Sequence, residues 1–329
     1  MIKKEENKLN VIDLFCGAGG MSYGFEKAGF NILLGVDSNK TSIKTFELNH
    51  KNSNVLCGDI RGISASEIKK MIGSKKVDII IGGPPCQGFS MAGRRVPNDP
   101  RNSLFREYLR IVRELKPKIF VMENVRGLLS MKNNNGEKVI DVIIQEFTKI
   151  KYKTKCYKVN TADYGVPQRR QRIFIIGTRR INDFIFTEPT HHKYGVARLK
   201  KWNTVKGLLL SKNEINKKYF YSKKLIKGFK RREKENKIKK VGYGWQFLKM
   251  NEPSYTISAR YWKDGAEALI KYNEQDIRML TPKECAVIQS FPHSFNFSGN
   301  EREIYTQIGN AVPPKMAEVI AKSIKKVLQ

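Results

Sequence analysis

The stretch Val11-Ile12-Asp13-Leu14-Phe15-Cys16-Gly17-Ala18-Gly19-Gly20 decides the fold of this chain. Its apolar first half predicts a buried strand, its glycines predict a tight loop, and Ser22–Ala28 beyond it predicts a helix. A strand that enters a helix through a glycine loop lets the backbone approach a nucleotide-like ligand closely. The stretch therefore predicts the first βα unit of an α/β fold, with a ligand site at the loop.

Outward from this stretch, short β-branched segments alternate with amphipathic ones until about residue 177. The predicted strands are Asn10–Phe15, Asn31–Val36, Val55–Cys57, Val77–Ile81, Lys118–Met122, Tyr152–Val159 and Arg172–Gly177. The predicted helices are Ser22–Ala28, Lys40–Asn49, Ala65–Ile72, Ser103–Leu115 and Glu137–Ile150. This alternation predicts a doubly wound, mostly parallel sheet covered by helices on both faces.

The alternation stops between residues 178 and about 276, which predicts a second domain. This segment contains Lys223–Lys240, which has ten basic residues and only two glutamates. Its weak periodicity is compatible both with a helix and with an ordered loop. Regular structure resumes at Thr281-Pro282-Lys283-Glu284, which has the pattern of a helix capping box with proline at the first helical position. A last helix is predicted at Pro314–Leu328.

Composition limits the class of protein. The 329 residues are 40% hydrophobic, which is enough for one large core and a smaller appended domain. The net charge of +31 favours a polyanionic partner, although a lysine-rich solvated surface remains an alternative. Five cysteines without a Cys-x-x-Cys pair argue against a disulfide framework and a zinc ribbon. With no apolar run of signal-peptide or membrane-spanning length, we expect a cytoplasmic protein with no membrane contact.

The residues around the glycine loop favour an adenosine ligand. Ser22 stands where the dinucleotide fingerprint has glycine, which disfavours a pyrophosphate. Asp37 follows the first loop glycine by twenty positions and could bind a ribose diol, whereas Asp59 could meet an adenine amino group. Alternatively, either aspartate simply ends a strand or caps a helix. S-adenosylmethionine suits these groups because it offers ribose, adenine and an amino-acid tail but no phosphate.

The segment Gly82-Gly83-Pro84-Pro85-Cys86-Gln87-Gly88-Phe89-Ser90 directly follows a predicted strand. It therefore lies at the carboxyl edge of the sheet, where such folds bind ligands. A lone cysteine is usually a small buried hydrophobic residue. Here, however, two glycines and two prolines fix the backbone around Cys86, which favours a reactive thiol.

Several blocks, taken in order, resemble the cytosine-5 DNA methyltransferase family of the bacterial restriction-modification type. They are Phe15–Gly20, Pro84–Gln87, Glu123-Asn124-Val125, Gln168–Arg172, Arg278–Pro282 with Glu284-Cys285-Ala286 and Phe291-Pro292, and Ile308–Pro314. Ordered blocks are far more specific than any single one, and they cover nearly all of the chain except roughly residues 178–276.

This resemblance implies an S-adenosylmethionine-dependent methyltransferase fold with a smaller target recognition domain. Residues 1–188, completed by 301–329, would form the catalytic and cofactor-binding domain, and 189–300 the target recognition domain. The implied activity is transfer of a methyl group from S-adenosylmethionine to C5 of a cytosine flipped out of a specific duplex DNA sequence. The implied partners are double-stranded DNA and a cognate restriction endonuclease, and the chain would act as a monomer.

The resemblance also assigns roles to individual residues. Cys86 would add to C6 of cytosine, because C5 becomes nucleophilic only after a thiolate has attacked the ring. Glu123 would act near N3, and Arg170 and Arg172, alternating along one strand face, would bind the cytosine O2 or a phosphate by one or both. The implied cofactor-binding residues are Phe15, Gly17, Gly19, Gly20, Asp37, Ser38, Asp59, Ile60, Pro85, Leu104, Asn310 and Val312. The implied substrate-binding residues are Gln87, Ser90 and Arg260, and no metal is expected.

Three alternatives stay open on the residues alone. A tRNA-methylating branch shares these motifs, but its usual Cys-Phe-Thr signature is absent from this chain. A catalytically silent DNA-binding homologue is disfavoured by the presence of Cys86, Glu123 and Arg172. A nucleotide-binding dehydrogenase is disfavoured by Ser22 and by the lack of an acid for hydride transfer.

Overall fold

The computed structural model describes residues 8–85, 104–133, 135–179, 181, 184–239 and 245–328. The chain divides into two compact units. The first comprises Met1–Val159, Gln171–Glu188 and Met316–Gln329, and the second comprises Asn160–Arg170 and Pro189–Lys315.

The first unit is built on a seven-stranded sheet. Its strands are β1 (Asn10–Leu14), β2 (Asn31–Asp37), β3 (Asn54–Cys57), β4 (Ile79–Gly82), β5 (Ile119–Val125), β6 (Lys153–Asn160) and β7 (Gln171–Thr178), in the spatial order β3-β2-β1-β4-β5-β7-β6. The pairings from β3 through β5 are parallel, whereas β7 runs antiparallel to β5. This mostly parallel sheet confirms the predicted fold class.

Helices alternate with these strands. They are α1 (Gly20–Lys27), α2 (Lys40–Asn49), α3 (Ala65–Ile72), α4 (Leu104–Leu115) and α5 (Val139–Lys149), and the unit is completed by α9 (Pro314–Leu328), counted in chain order over the whole described chain. Every residue of β4 is buried. Because successive side chains of a strand point to opposite faces, both faces of the sheet are covered at its centre.

The predicted elements of this unit agree with the observed ones to within about two residues at each end, except that β5 continues to Val125, three residues beyond the predicted end at Met122. Predicted Ser103 lies outside the described residues. Polar caps define several helix starts: Asn39 accepts the amide of Ser42 at 2.8 Å at the start of α2, and Ser64 accepts the amide of Glu67 at 3.1 Å at the start of α3. These side chains satisfy backbone donors that the first turn of a helix leaves without partners.

The second unit has little regular structure. It contains the two-residue strands β8 (His191–His192), β9 (Lys200–Lys201), β10 (Ile270–Lys271) and β11 (Ile277–Arg278), and the helices α6 (Lys223–Lys239), α7 (Pro282–Ile288) and α8 (Glu301–Asn310). The predicted capping box at α7 is confirmed. Helix α8 was not predicted, although Asn300 and Glu303 form a capping box that marks its start.

The Lys-rich segment for which a helix and a loop were both open is the helix α6. Its apolar residues are too few to show a clear period in the sequence. In the structure Ile226 is buried in a small cluster with Leu269 and Ile277, against which Trp245 and Phe247 also pack. Tertiary packing therefore decides this helix, as is usual for helices with a weak pattern of their own.

The boundaries of the two units differ from the predicted domains at two places. Residues 160–170 and 301–315 were expected in the first domain, but the structure groups both with the second unit. The physical reason is a set of hydrogen bonds within that unit. Gln168 and Arg170 bind the backbone of Ile257, and Arg170 also binds the carbonyl of Gly309.

Two further limits apply to the described part of the chain. None of its helices combines the length and the apolar character needed to cross a membrane. Nor do His, Cys, Asp and Glu side chains gather there in a group of three that could hold a metal ion.

Aromatic rings fill the core beside β5. Phe120 stacks on Phe147 with ring centroids 3.9 Å apart, and Tyr108 and Tyr152 contact Phe120 edge-on. Gly177 of β7 faces the same ring, so that a Cβ built there would lie 2.0 Å from Phe120 Cε1. The ring is held from several sides and has little room to move.

We therefore expect Gly177→Ala to destabilise the protein by about 1–3 kcal/mol, because an added methyl group overpacks a filled core. Urea unfolding measures the change. Gly62→Ala is the matched control, since no atom of the residues that the structure describes lies within 4 Å of a Cβ at Gly62. Its effect should stay within about 0.5 kcal/mol, and equal losses in both variants would contradict the packing explanation.

Candidate active site

The site lies where β4 and β5 end. Strand β4 ends at Gly82, and the chain continues through Gly83, Pro84 and Pro85 toward Cys86. Cys86 itself, with Gln87 and Ser90, lies outside the described residues. The structure thus fixes the backbone that leads into the predicted nucleophile, but not the thiol.

Asn124 holds this backbone in place. It is buried on β5, and its Nδ2 donates a hydrogen bond of 3.0 Å to the carbonyl of Pro84. Its Oδ1 accepts the amide of Val125 at 2.8 Å. Both ends of the amide are therefore used, and the loop before Cys86 is tied to the strand that carries Glu123. The sequence indicated Asn124 only as the neighbour of Glu123 in a motif.

Glu123 and Arg172 form an ion pair at the same edge. Arg172 Nε lies 2.9 Å from Glu123 Oε1, and the two side chains are only 15% and 12% exposed. The antiparallel pairing creates this contact, because the start of β7 lies beside the end of β5, with Arg172 opposite Val125. The carboxylate also lies close to the loop: a Cβ at Gly83 would be 3.3 Å from Glu123 Oε2.

Arg170 has a different environment. The sequence predicted that Arg170 and Arg172 alternate along one strand face, but β7 begins at Gln171, so Arg170 precedes the strand. Its side chain is buried within the second unit, where Nη1 donates to the carbonyl of Ile257 at 3.1 Å and Nη2 to that of Gly309 at 2.8 Å. These contacts tie three segments of that unit together.

The glycine loop between β1 and α1 is closed by Asp37. Gly17 and Gly19 have positive φ values of 53° and 88°, and the amide of Gly17 donates to Asp37 Oδ2 at 2.9 Å. The amide of Asn39 donates to Oδ1 of the same carboxylate at 2.8 Å. Burial raises the pKa of Asp37, and these amide hydrogen bonds oppose the rise. The structure thus joins the loop to the carboxylate predicted to bind a ribose.

Two buried side chains that the sequence did not indicate, those of Asp13 and His50, support this glycine loop. Asp13 on β1 accepts a hydrogen bond of 2.6 Å from Ser22 on α1, and burial raises the pKa of this carboxyl to about 7. His50 packs under Gly19, so that a Cβ at Gly19 would lie 2.2 Å from His50 Nε2, and His50 Nδ1 lies 2.8 Å from Glu26 Oε2. In the sequence Ser22 argued only against a phosphate ligand, whereas in the structure it also binds the buried Asp13 carboxyl group.

Asp59 is more exposed than Asp37 and has a strong partner. Its carboxylate caps a short 3-10 helix by accepting the amide of Arg61 at 3.0 Å, and it pairs with the Arg61 guanidinium. The hydrogen bonds from Arg61 lower the pKa of Asp59 to about 2. The next residue, Ile60, is buried, and its carbonyl accepts a hydrogen bond of 3.0 Å from Arg110 of α4.

The other predicted ligand residues fall in several places. In the first unit, Phe15 and Gly20 flank the glycine loop, Ser38 is exposed after β2, and Leu104 begins the described part of α4. In the second unit, Asn310 ends α8 and is exposed, Val312 is buried, and Arg260 is exposed. The segment before Arg260 is held by the side chain of Thr256, which donates to the carbonyl of Arg169 at 2.8 Å.

Comparisons with known proteins cover nearly the whole chain. A family model described as C-5 cytosine-specific DNA methylase matches residues 9–326. The type II methyltransferase M1.HphI of Haemophilus parahaemolyticus is 36% identical over 339 residues, which cover 97% of this chain and 87% of that protein. The type II methyltransferase M.DdeI of Desulfomicrobium norvegicum is 35% identical over 374 residues, covering 96% and 88%.

A solved structure extends the likeness of fold. The methyltransferase EhMeth of Entamoeba histolytica superimposes with a TM-score of 0.74 at 19% sequence identity, covering 98% of this chain and all of that one. The match of the family model over almost every residue confirms the resemblance drawn from the ordered motifs. This chain belongs to the family of C-5 cytosine-specific DNA methylases.

Proposed function

We propose that this DNA (cytosine-5)-methyltransferase acts on a flipped-out cytosine in a specific duplex sequence, through a covalent bond between Cys86 and C6. Family membership supports the reaction and the use of S-adenosylmethionine. The observation that carries the assignment of residues is the ion pair between Glu123 on β5 and Arg172 on β7, in which Nε and Oε1 lie 2.9 Å apart. Asn124, also on β5, binds the backbone of Pro84 just before Cys86.

The residue types match the steps of the reaction. Addition of the Cys86 thiolate to C6 opens the C5–C6 double bond, so that C5 becomes nucleophilic and negative charge moves to N3. In this mechanism Glu123 holds or shares a proton at N3, and Arg172 holds Glu123 and binds the exocyclic oxygen O2. The bond between the methyl group and the donor sulfur breaks as C5 accepts the methyl group. A water molecule then takes the C5 proton and Cys86 leaves C6 as a thiolate, which restores the C5–C6 double bond.

Arg170 takes a positioning role in this proposal. Both of its terminal nitrogens already donate to backbone carbonyls, those of Ile257 and Gly309, in a buried place. A guanidinium held in this way stabilises the segment that leads to Arg260. Contact with the cytosine O2 or a phosphate is therefore assigned to Arg172 rather than to both arginines.

The glycine loop and Asp37 suit the adenosine part of S-adenosylmethionine. No atom of the described residues lies within 4 Å of a Cβ at Gly17, so the loop presents open backbone beside a half-buried carboxylate. Phe15, Gly19, Gly20, Ser38, Asp59, Ile60, Pro85, Leu104, Asn310 and Val312 complete the proposed set. When bound, S-adenosylmethionine supplies a methyl group on a positively charged sulfur. Asp59 would have to accept the adenine amino group beside its partner Arg61.

These assignments give the two units different roles in catalysis, cofactor binding and target recognition. We assign catalysis and most of the cofactor-binding residues to the first unit, and target recognition to residues 189–300 of the second. Arg260, Gln87 and Ser90 would contact DNA. The relatives are named type II methyltransferases, which supports a role in protecting a short site from a cognate restriction endonuclease. We further propose that the chain acts as a cytoplasmic monomer. DNA purified from cells that express the chain should then resist one endonuclease of matching specificity.

A direct assay tests the activity. The protein is incubated with tritiated S-adenosylmethionine and either duplex DNA or tRNA, and the modified cytosines are mapped. Label should enter C5 of one cytosine in a fixed DNA sequence. Label in tRNA alone would overturn the choice of substrate.

Cys86→Ser should abolish methyl transfer while binding to duplex DNA persists, because a hydroxyl group is a far weaker nucleophile than a thiolate. Filter binding and tritium transfer measure the two properties. Cys57→Ser is the control, since Cys57 is an exposed free cysteine at the end of β3. Full turnover by the Cys86 variant would refute the nucleophile.

Glu123→Gln should lower kcat by about 10²–10⁴-fold, since the amide keeps the shape of the side chain but cannot take up or release the proton. Affinity for DNA should change by less than about threefold. The control is Glu146→Gln on α5, where the carboxylate pairs with exposed Lys149 at 2.5 Å. A kcat unchanged from the wild-type value would remove Glu123 from the mechanism.

Asp37→Asn should raise the KM for S-adenosylmethionine about 10–100-fold, because charge-assisted hydrogen bonds contribute roughly 1.5–3 kcal/mol each. The KM for DNA should stay nearly constant. Isothermal titration with S-adenosylmethionine and steady-state kinetics separate these effects. Equal weakening of both substrates would indicate general damage to the fold instead.

A further inference from the structure

We propose that the exposed face of α6 is a phosphate-binding surface that grips duplex DNA. This inference rests on the proposed function in so far as DNA is the substrate. It assigns α6 a role separate from base recognition and from catalysis. The partner is the sugar-phosphate backbone, without regard to sequence.

One narrow stripe of α6 is docked in the second unit. Ile226 and Phe229 are buried, and the Phe229 ring stacks on Tyr221 and on Trp245 with centroids 5.6 Å and 5.0 Å apart. Glu233 accepts a hydrogen bond of 3.1 Å from the indole nitrogen of Trp245. The apolar side of the helix is therefore already occupied within the unit, and the opposite side faces solvent.

The solvent side is strongly basic. Between residues 223 and 235 the exposed charged side chains are Lys223, Lys224, Lys227, Lys230, Arg231, Arg232, Lys234 and Glu235. Lys230 pairs with Glu274 at 2.8 Å, and Arg231 lies 3.6 Å from Glu235. In the part of the chain that the structure describes, no carboxylate pairs with the other five cations. Arg232 lies over the Phe229 ring, 4.4 Å from its centroid.

The exposed positive charges of α6 destabilise the helix. Lys223 and Lys227, and Lys230 and Lys234, are like charges one turn apart, which destabilise a helix. The first turn holds no acidic residue and begins with two lysines, although the amino terminus of a helix favours negative charge. A bound polyanion would relieve both effects. A local conflict of this kind is expected where function, not stability, sets the residue types.

Duplex DNA fits this surface better than a protein or a membrane. A 17-residue helix is about 25 Å long, and a duplex carries one phosphate charge about every 1.7 Å along its axis. Protein interfaces need an apolar centre, but Leu225 is the one exposed large hydrophobic residue among those described on α6. A helix that lies on a membrane needs a free apolar face, and that of α6 is packed in its own unit.

The test replaces four unpaired lysines of α6 by glutamine, in the variant K223Q/K224Q/K227Q/K234Q. Glutamine keeps the helix propensity of lysine. The matched control, K69Q/K70Q/K75Q/K76Q, removes the same charge from exposed lysines in and after α3. Far-UV circular dichroism and thermal unfolding check the fold, and the α6 variant should be at least as stable as the wild type. The double variants K223Q/K224Q and K227Q/K234Q replace the quadruple one if its stability falls.

Binding is measured with one 40-bp duplex that carries the methylated sequence and with another that lacks it, as salt is varied. For the α6 variant we expect the slope of log affinity against log salt to become shallower by roughly 3 to 4, since each lost phosphate contact contributes about 0.9. Affinity at 0.15 M salt should fall at least tenfold for both duplexes. The kcat at saturating DNA should be unchanged.

Other outcomes overturn the proposal. If the control lowers affinity as much as the α6 variant, net charge rather than α6 binds the phosphates. If the α6 variant binds every duplex like the wild type, the helix has another partner, and a selective loss of binding to a structured RNA would identify RNA. Methylation of DNA by the wild-type protein decides the proposed function separately, so failure of one inference is distinguishable from failure of the other.

Discussion

The antiparallel pairing of β7 with β5 is the contact on which the site depends. Parallel strands bring only their carboxyl ends to one edge of a sheet, here Gly82 of β4 and the residues from Glu123 on β5. An antiparallel neighbour alone can bring the beginning of a strand, and with it Arg172, to that edge. A cation thus reaches the carboxylate from a rigid strand. The loop before Cys86 is then added through one buried amide, that of Asn124.

Acidic groups at this edge are few, and each is held by specific donors. Asp13 is bound by Ser22, Asp37 by two backbone amides, and Glu123 by Arg172. Buried carboxylates need such partners, because burial without them favours the neutral form. Much positive charge lies elsewhere among the described residues, including the exposed face of α6. The paired carboxylates at the sheet edge act over short distances and in fixed directions, whereas unpaired surface cations create a field that extends farther into solvent.

Polar contacts rather than regular secondary structure stabilise the second unit. Arg278 and Glu284 form a buried pair with two bonds of 2.8 Å, and Glu284 also accepts the amides of Thr281 and Leu210. The side chains of Gln168 and Arg170 join separate loops by hydrogen bonds to the backbone of Ile257. Such networks specify one arrangement of loops because each donor and acceptor has a fixed partner. The sequence indicated Gln168 and Arg170 as parts of a catalytic motif. In the structure these two residues stabilise the arrangement of loops in the second unit.

The amino-acid sequence by itself determined the order of strands and helices in the first unit and the family, and it indicated Glu123, Asp37 and Arg172 as candidate site residues. These follow from local periodicity and from motifs a few residues long, which need no knowledge of distant contacts. Tertiary structure alone decided that β7 is antiparallel, that the Arg170 side chain is buried within the second unit, and that His50 and Asp13 support the glycine loop. It also decided that α6 is a helix, and the common reason is that residues far apart in the chain set each of these features. No local pattern carries the information about which distant group will supply a hydrogen bond or cover an apolar face.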